Sequence, residues 1–87
     1  MYLHLGRDIV VPRQSIVAVL DMDTATASRH TRAFLSAAEQ SGQVFMVSDE
    51  LPRSAVLCVE AGNPVVYISQ ISSRTLLKRA EEGEGAW

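Results

Sequence analysis

Apolar residues fall in short unbroken runs over most of this chain and at helical spacing in two places. Residues 2–5 and 9–11 are brief extended runs on either side of Gly6-Arg7-Asp8, which predicts a tight hairpin. Pro12 ends the second run or confines it to a sheet edge, because proline brings no donor to a ladder. Residues 16–20 are apolar throughout and stop at Asp21-Met22-Asp23. Residues 44–47 form a fourth strand by composition, followed by a polar connection over 48–53 that contains Pro52. Residues 56–59 and 65–68, rich in β-branched side chains, flank Gly62-Asn63-Pro64, which predicts two strands joined by a short turn.

Two segments carry the helical period. A main helix is expected over about 24–41, capped by Asp23 or Thr24 and closed by Gly42 at the left-handed position that follows a helix end. Ala27, Thr31, Phe34, Leu35 and Ala38 share one face of it; Arg29, Arg32, Ser36, Glu39 and Gln40 lie mostly on the other. A short C-terminal helix is expected over about 72–81, starting at Ser72 or Ser73 and carrying Leu76, Leu77 and Ala80. The fold class is therefore α+β: a small, mostly antiparallel sheet of short strands with these two helices, in a single domain over residues 1–80. Residues 81–87, with two glycines, three acids and Trp87 at the end, are expected to be a flexible acidic tail.

The continuous apolar runs 16–20, 56–59 and 65–68 bear on assembly. A strand with one solvated face alternates apolar and polar residues, and these do not, so both of their faces need cover. One main helix and one short helix cover about one face of such a sheet. A bare apolar face is a liability in a monomer, so a homo-oligomer is expected. At 87 residues the chain buries only about two thirds of its unfolded surface, which also favours added contacts.

Cys58 is the sole cysteine, so an internal disulfide is impossible and a reducing compartment is favoured. The N-terminus has no basic segment leading into a long apolar one, and no run approaches the ~20 apolar residues of a membrane span. A soluble cytoplasmic protein without membrane contact is expected. No His or Cys pair stands at metal-ligand spacing, no glycine-rich phosphate loop occurs, and no serine sits on a nucleophile elbow. The expectation is a non-enzyme with no cofactor, no metal and no small-molecule ligand, in which His4 and His30 serve surface or packing roles.

Net charge is −2, yet Glu81, Glu82 and Glu84 crowd the last seven residues, so residues 1–80 carry eight bases against seven acids. Seven of the eight bases are arginine, whose planar fork suits phosphate. Arg13 precedes the 16–20 run, Arg53 precedes the 56–59 run, and Arg74, Lys78 and Arg79 belong to the C-terminal helix, where 74 and 78 share a face. These five are the candidate DNA-binding residues. The plainer reading of the helical three is a solvated face with Lys78 pairing to Glu82. Symmetric repetition in an oligomer would multiply the phosphate contacts of a nearly neutral protomer.

The stretch MYLHLGRDIVVPRQSIVAVLD, the segment TRAFLSAAEQSG and above all VYISQISSRTLLKR resemble the RemA/RemB family of small bacterial extracellular-matrix regulators, most closely its RemB-like branch. The resemblance covers about residues 1–80. It implies a DNA-binding transcriptional regulator of biofilm-matrix genes that works as a ring-like homo-oligomer, with arginines on loops gripping double-stranded DNA. The RemA-like branch has an arginine before its third strand and an arginine-rich turn before its fifth; those positions fall here at Arg13-Gln14 and at Leu51-Pro52-Arg53. The second turn departs from the pattern, with one arginine beside Asp49 and Glu50. The alternative is a ring-forming structural or adaptor protein that acts through protein contacts without direct DNA binding. The charge split also predicts that the tail competes with DNA for the basic loops: removing residues 81–87 should tighten low-salt binding of a labelled duplex in a fluorescence titration.

Overall fold

A computed structural model of the chain describes residues 1–25 and 28–82. The elements are β1 (Tyr2–Gly6), β2 (Ile9–Pro12), a 3-10 turn (Arg13–Ser15), β3 (Ile16–Asp21), α1 (Met22–Ala25), α2 (Arg29–Gln40), β4 (Val44–Met46), β5 (Ser54–Glu60), β6 (Asn63–Ser69) and α3 (Ser73–Glu82). All six expected strands are present, and the class is α+β. Ala27, placed on the core face of the main helix from the sequence, and Trp87 with the rest of the tail past Glu82 lie outside the described residues.

The strands make two sheets rather than one. β1 and β2 pair only with each other, while β3, β5, β6 and β4 lie side by side in that order. Within the larger sheet the β3–β5 and β5–β6 pairs are antiparallel and β4 runs parallel to β6. The hairpin stands apart because it presents a face, not an edge: Leu3, Leu5 and Val11 are wholly buried, packed with Val47, Val56, Cys58 and Leu76.

The β5–β6 hairpin pairs seven residues with seven, from Ser54↔Ser69 to Glu60↔Asn63. Its turn is Ala61-Gly62, starting one residue earlier than the Gly62-Asn63-Pro64 expected from the sequence. Both have positive φ, +51° and +81°, as a two-residue type I′ connection requires. Asn63 and Pro64 thereby join β6. Pro64 sits opposite Val59, beyond the Val44↔Val66 start of the β4 pairing, where its missing donor interrupts no ladder.

The expected single helix over 24–41 is two. Asp21 accepts from the backbone N–H of Asp23 (2.8 Å) and Thr24 (3.4 Å) and so starts α1 directly from the end of β3. Ser28 then caps α2 by accepting from Thr31 N–H (3.4 Å). A chain with cap-forming side chains at both 21 and 28 has two places to begin a helix and uses both. The far end of α2 is as expected: Gly42 N–H donates to Glu39 O (3.0 Å) and Gln43 N–H to Ala38 O (2.9 Å), the paired bonds of a Schellman ending.

The two longer helices lie on opposite faces of the large sheet, which corrects the expectation that they share one. Alternation along β5 divides the core: Val56 and Cys58 face the hairpin and α3, while Ala55 and Leu57 face α2. The α2 side is thinly covered. Ala38 is the only buried residue of α2, Leu35 is half-buried, and Phe34, placed on the core face from the sequence, is exposed.

Two serines hold the layers in place. Ser54 and Ser69 face each other across the open end of the hairpin and are fully buried. Ser54 Oγ–H donates to Ile71 O (2.8 Å) and Ser69 Oγ–H to Leu5 O (2.6 Å), and Ser69 Oγ accepts from Ile71 N–H (3.0 Å). Replacing Ser69 with alanine strands the buried Leu5 carbonyl and the half-buried Ile71 N–H. Urea unfolding of Ser69→Ala should show a loss of about 1–3 kcal/mol with an unchanged m-value.

Candidate nucleic-acid interface

The basic residues are distributed by the direction of β3. Arg13 opens the 3-10 turn before Ile16, which pairs with Cys58; Arg53 precedes Ser54, which pairs with Asp21. The two arginines therefore stand at opposite ends of a six-residue strand, about 20 Å apart at ~3.3 Å per residue. Within one protomer they do not share a site.

The Arg53 end collects more charge. Asp21 Oδ1 caps α1, and Asp21 Oδ2 accepts from Ser73 Oγ–H (3.2 Å) at the first residue of α3. Arg53 is close enough to act on the same carboxyl. The main-chain N–H of Asp23 is the chief cause of a depressed Asp21 pKa; burial opposes it, and Thr24 N–H, the Ser73 hydroxyl and Arg53 add to it. Arg74 follows Ser73 directly and is exposed, and Lys78 is exposed one turn further along α3. Neither Arg74 nor Lys78 forms an ion pair among the described residues, and the Lys78–Glu82 pair anticipated from their spacing is not formed. Ser72 Oγ accepts from Thr75 N–H (3.2 Å), which fixes the start of the helix that carries both.

Arg79 and Arg13 are engaged elsewhere. Arg79 donates to the His4 carbonyl (3.2 Å) and fastens α3 to β1. Arg13 donates to Met1 Sδ (3.3 Å), and its N–H donates to Met1 O (2.9 Å), holding the N-terminus. Of the five residues picked out from the sequence, Arg53, Arg74 and Lys78 are thus exposed along one end and one helix, Arg79 is half-buried in packing, and Arg13 lies at the far end.

Two residues went unnoticed in the sequence. Arg7, in the β1–β2 turn with φ +51°, reaches Ser48 Oγ (3.4 Å), Asp49 (3.3 Å) and Glu50 (3.6 Å). It offsets part of the acidity beside Arg53. No local signal links residue 7 to residue 49, because the pair exists only once the hairpin has docked. Asp21 read as a strand terminator and is also the group that joins α1, α3 and Arg53.

At the other end, Tyr67 O–H donates to Glu60 Oε2 (2.7 Å). Burial, reinforced by that carboxylate, pushes the phenol up to about 12. Burial likewise raises the Cys58 thiol, which suits a packing residue better than a nucleophile. Among the described residues no three His, Cys, Asp or Glu side chains gather as metal ligands, and no helix is long and apolar enough to cross a membrane.

The Asp21 cluster has a pH signature. Because the folded carboxyl titrates below its usual range, its contribution is complete above about pH 4 and is lost as pH falls through the depressed value. The melting temperature of the wild type, followed by circular dichroism, should drop more steeply below pH ~4 than that of Asp21→Asn, which should already be lower at neutral pH.

Residues 2–80 match the family model for RemA-like, extracellular matrix regulatory protein A-like proteins. The chain is also 37% identical over 81 residues to the extracellular matrix regulatory protein B of Bacillus subtilis (strain 168), covering 93% of this chain and 91% of that protein. On both counts the chain belongs to the RemA-like family of extracellular matrix regulatory proteins.

Proposed function

We propose that this protein regulates extracellular-matrix genes by binding double-stranded DNA in the cytoplasm as a ring-like homo-oligomer, with each copy contributing the basic end formed by Arg53, Arg74 and Lys78. Membership of the family supports the regulatory role in matrix formation. The observation that carries the DNA contact is that Arg74 and Lys78 are exposed four residues apart on one face of α3, which begins beside Arg53. Arginine's planar fork and the lysine point charge both suit phosphate oxygens, and such contacts give affinity without reading sequence. The Asp21 carboxylate stays charged and offsets part of the Arg53 charge, so Arg74 and Lys78 carry most of the patch.

One copy offers few phosphate contacts, so affinity comes from repetition. A duplex that touches several copies releases counterions at each, and preference among sequences follows from how readily the DNA bends to the surface. Arg13, at the other end of β3, contributes only where a neighbouring copy brings it to the same duplex.

The test is fluorescence anisotropy of a labelled duplex at several salt concentrations. Binding should weaken steeply with salt. Arg53→Ala with Arg74→Ala should lower the log–log slope by about one for each phosphate that the DNA-bound copies no longer neutralise. Arg13→Ala should have the smaller effect. Absence of binding at low salt by folded, assembled protein overturns the DNA reading and leaves the adaptor role.

A further inference from the structure

The large sheet ends at β4, which has β6 on one side and no strand on the other. Gln43 O accepts from Val66 N–H (2.8 Å) and Val47 N–H donates to Ile68 O (2.9 Å), so the main-chain groups of 43 and 47, and by alternation those of Phe45, point to β6. The N–H and C=O of Val44 and Met46 therefore point away from the sheet, and neither residue has a backbone partner there among the described residues. This row of donors and acceptors is open to an added strand.

The two faces of the edge differ. Toward α2, Val44 and Met46 line a groove of about 240 Å³ with Leu35, Pro52 and Ile68. Toward the β1–β2 hairpin stands Phe45, 47% exposed, with its ring centroid 5.7 Å from that of Tyr67. The chain then runs on into Asp49 and Glu50, two carboxylates against the single Arg7 guanidinium that reaches them. One face takes apolar side chains. The other offers an aromatic ring and surplus negative charge, the two features that hold a guanidinium or an ammonium group.

We infer that the β4 edge receives an extended segment of another protein as an added strand. Its apolar side chains enter the α2-side groove, and Arg or Lys residues alternating with them lie over Phe45 and reach Asp49 and Glu50. Main-chain bonds to Val44 and Met46 are common to any added strand, and the alternation selects the sequence. A second copy of this chain does not fit that description, because none of its six strands contains Arg or Lys. The opposite edge of the sheet is no equivalent, since the irregular register between Ile16 and Ala18 interrupts its row of donors. The contact stands independently of DNA binding.

The test uses the isotope-labelled full chain and a short capped peptide that alternates valine with arginine, with a valine–glutamate peptide as control. With the arginine peptide at about ten times its Kd, hydrogen exchange of the Val44 and Met46 N–H groups should slow about tenfold, while that of Phe45, already bonded to β6, changes less. Asp49→Asn with Glu50→Gln should weaken binding several-fold. Met46→Pro, which removes an outward donor and no bond to β6, should abolish it. Circular dichroism and a urea midpoint check that Met46→Pro folds, and the exchange measurement on the wild type needs no variant. No binding at millimolar peptide, binding without slowed exchange at 44 and 46, equal binding of the glutamate peptide, or unchanged affinity in either variant overturns the inference. Slow exchange at Val44 and Met46 before peptide is added overturns it too, since a second copy then covers the edge.

Discussion

The pairing of Ser54 with Ser69 at the open end of the central hairpin is the constraint on which the layers depend. A buried hydroxyl needs partners, and these two find them in the carbonyls of Leu5 and Ile71 and in the Ile71 N–H. One bond reaches 64 residues back to β1, the other 17 forward to the turn before α3. The hairpin and the C-terminal helix are thus fixed to the same face at the same point. Leu3, Leu5, Val11 and Leu76 can then close over Val56 and Cys58. Apolar burial supplies most of the stability, but it is non-directional, and the serine bonds decide where each layer sits.

That placement also sorts the charges. Docking the hairpin brings Arg7 to Asp49 and Glu50, and docking α3 brings Ser73 to Asp21 and Arg79 to the His4 carbonyl. Arg53, Arg74 and Lys78 stay exposed at that end, with Asp23, Asp49 and Glu50 exposed near them. In a chain of net charge −2 the basic character of this surface rests on Arg74 and Lys78, which form no ion pair among the described residues. The opposite face is less complete. Alanine-rich α2 lies against the sheet through Ala38 and Leu35, and the short side chains leave Phe34, Val17 and Val59 uncovered.

The strands were readable because their signal is local. Unbroken apolar runs rich in β-branched residues at 16–20, 56–59 and 65–68 have no other stable use in a chain of this size, and Gly42 closes α2 through bonds made within a few residues. The turn of the central hairpin was misplaced because Gly62-Asn63-Pro64 is the stronger turn signal, whereas strand pairing puts the non-glycine Ala61 into a positive-φ position. The long helix was read as one because its apolar period runs through 24–41, and nothing in the period tells that Asp21 and Ser28 each cap a helix of their own.

The sequence by itself determined the α+β class, the six strands, the helix endings, the basic character of α3 and, through VYISQISSRTLLKR, the family. Those follow from short-range periodicity, turn chemistry and residue identity. Only the tertiary structure decided that the hairpin forms its own sheet, that α2 and α3 take opposite faces, and that Arg13 and Arg53 stand at opposite ends of β3. It also gave Arg79 a carbonyl to hold and Arg7 two carboxylates. The physical reason is common to all of these. Each depends on which distant residues meet when apolar faces close, and pairings 41 and 75 residues apart leave no periodic trace in the chain.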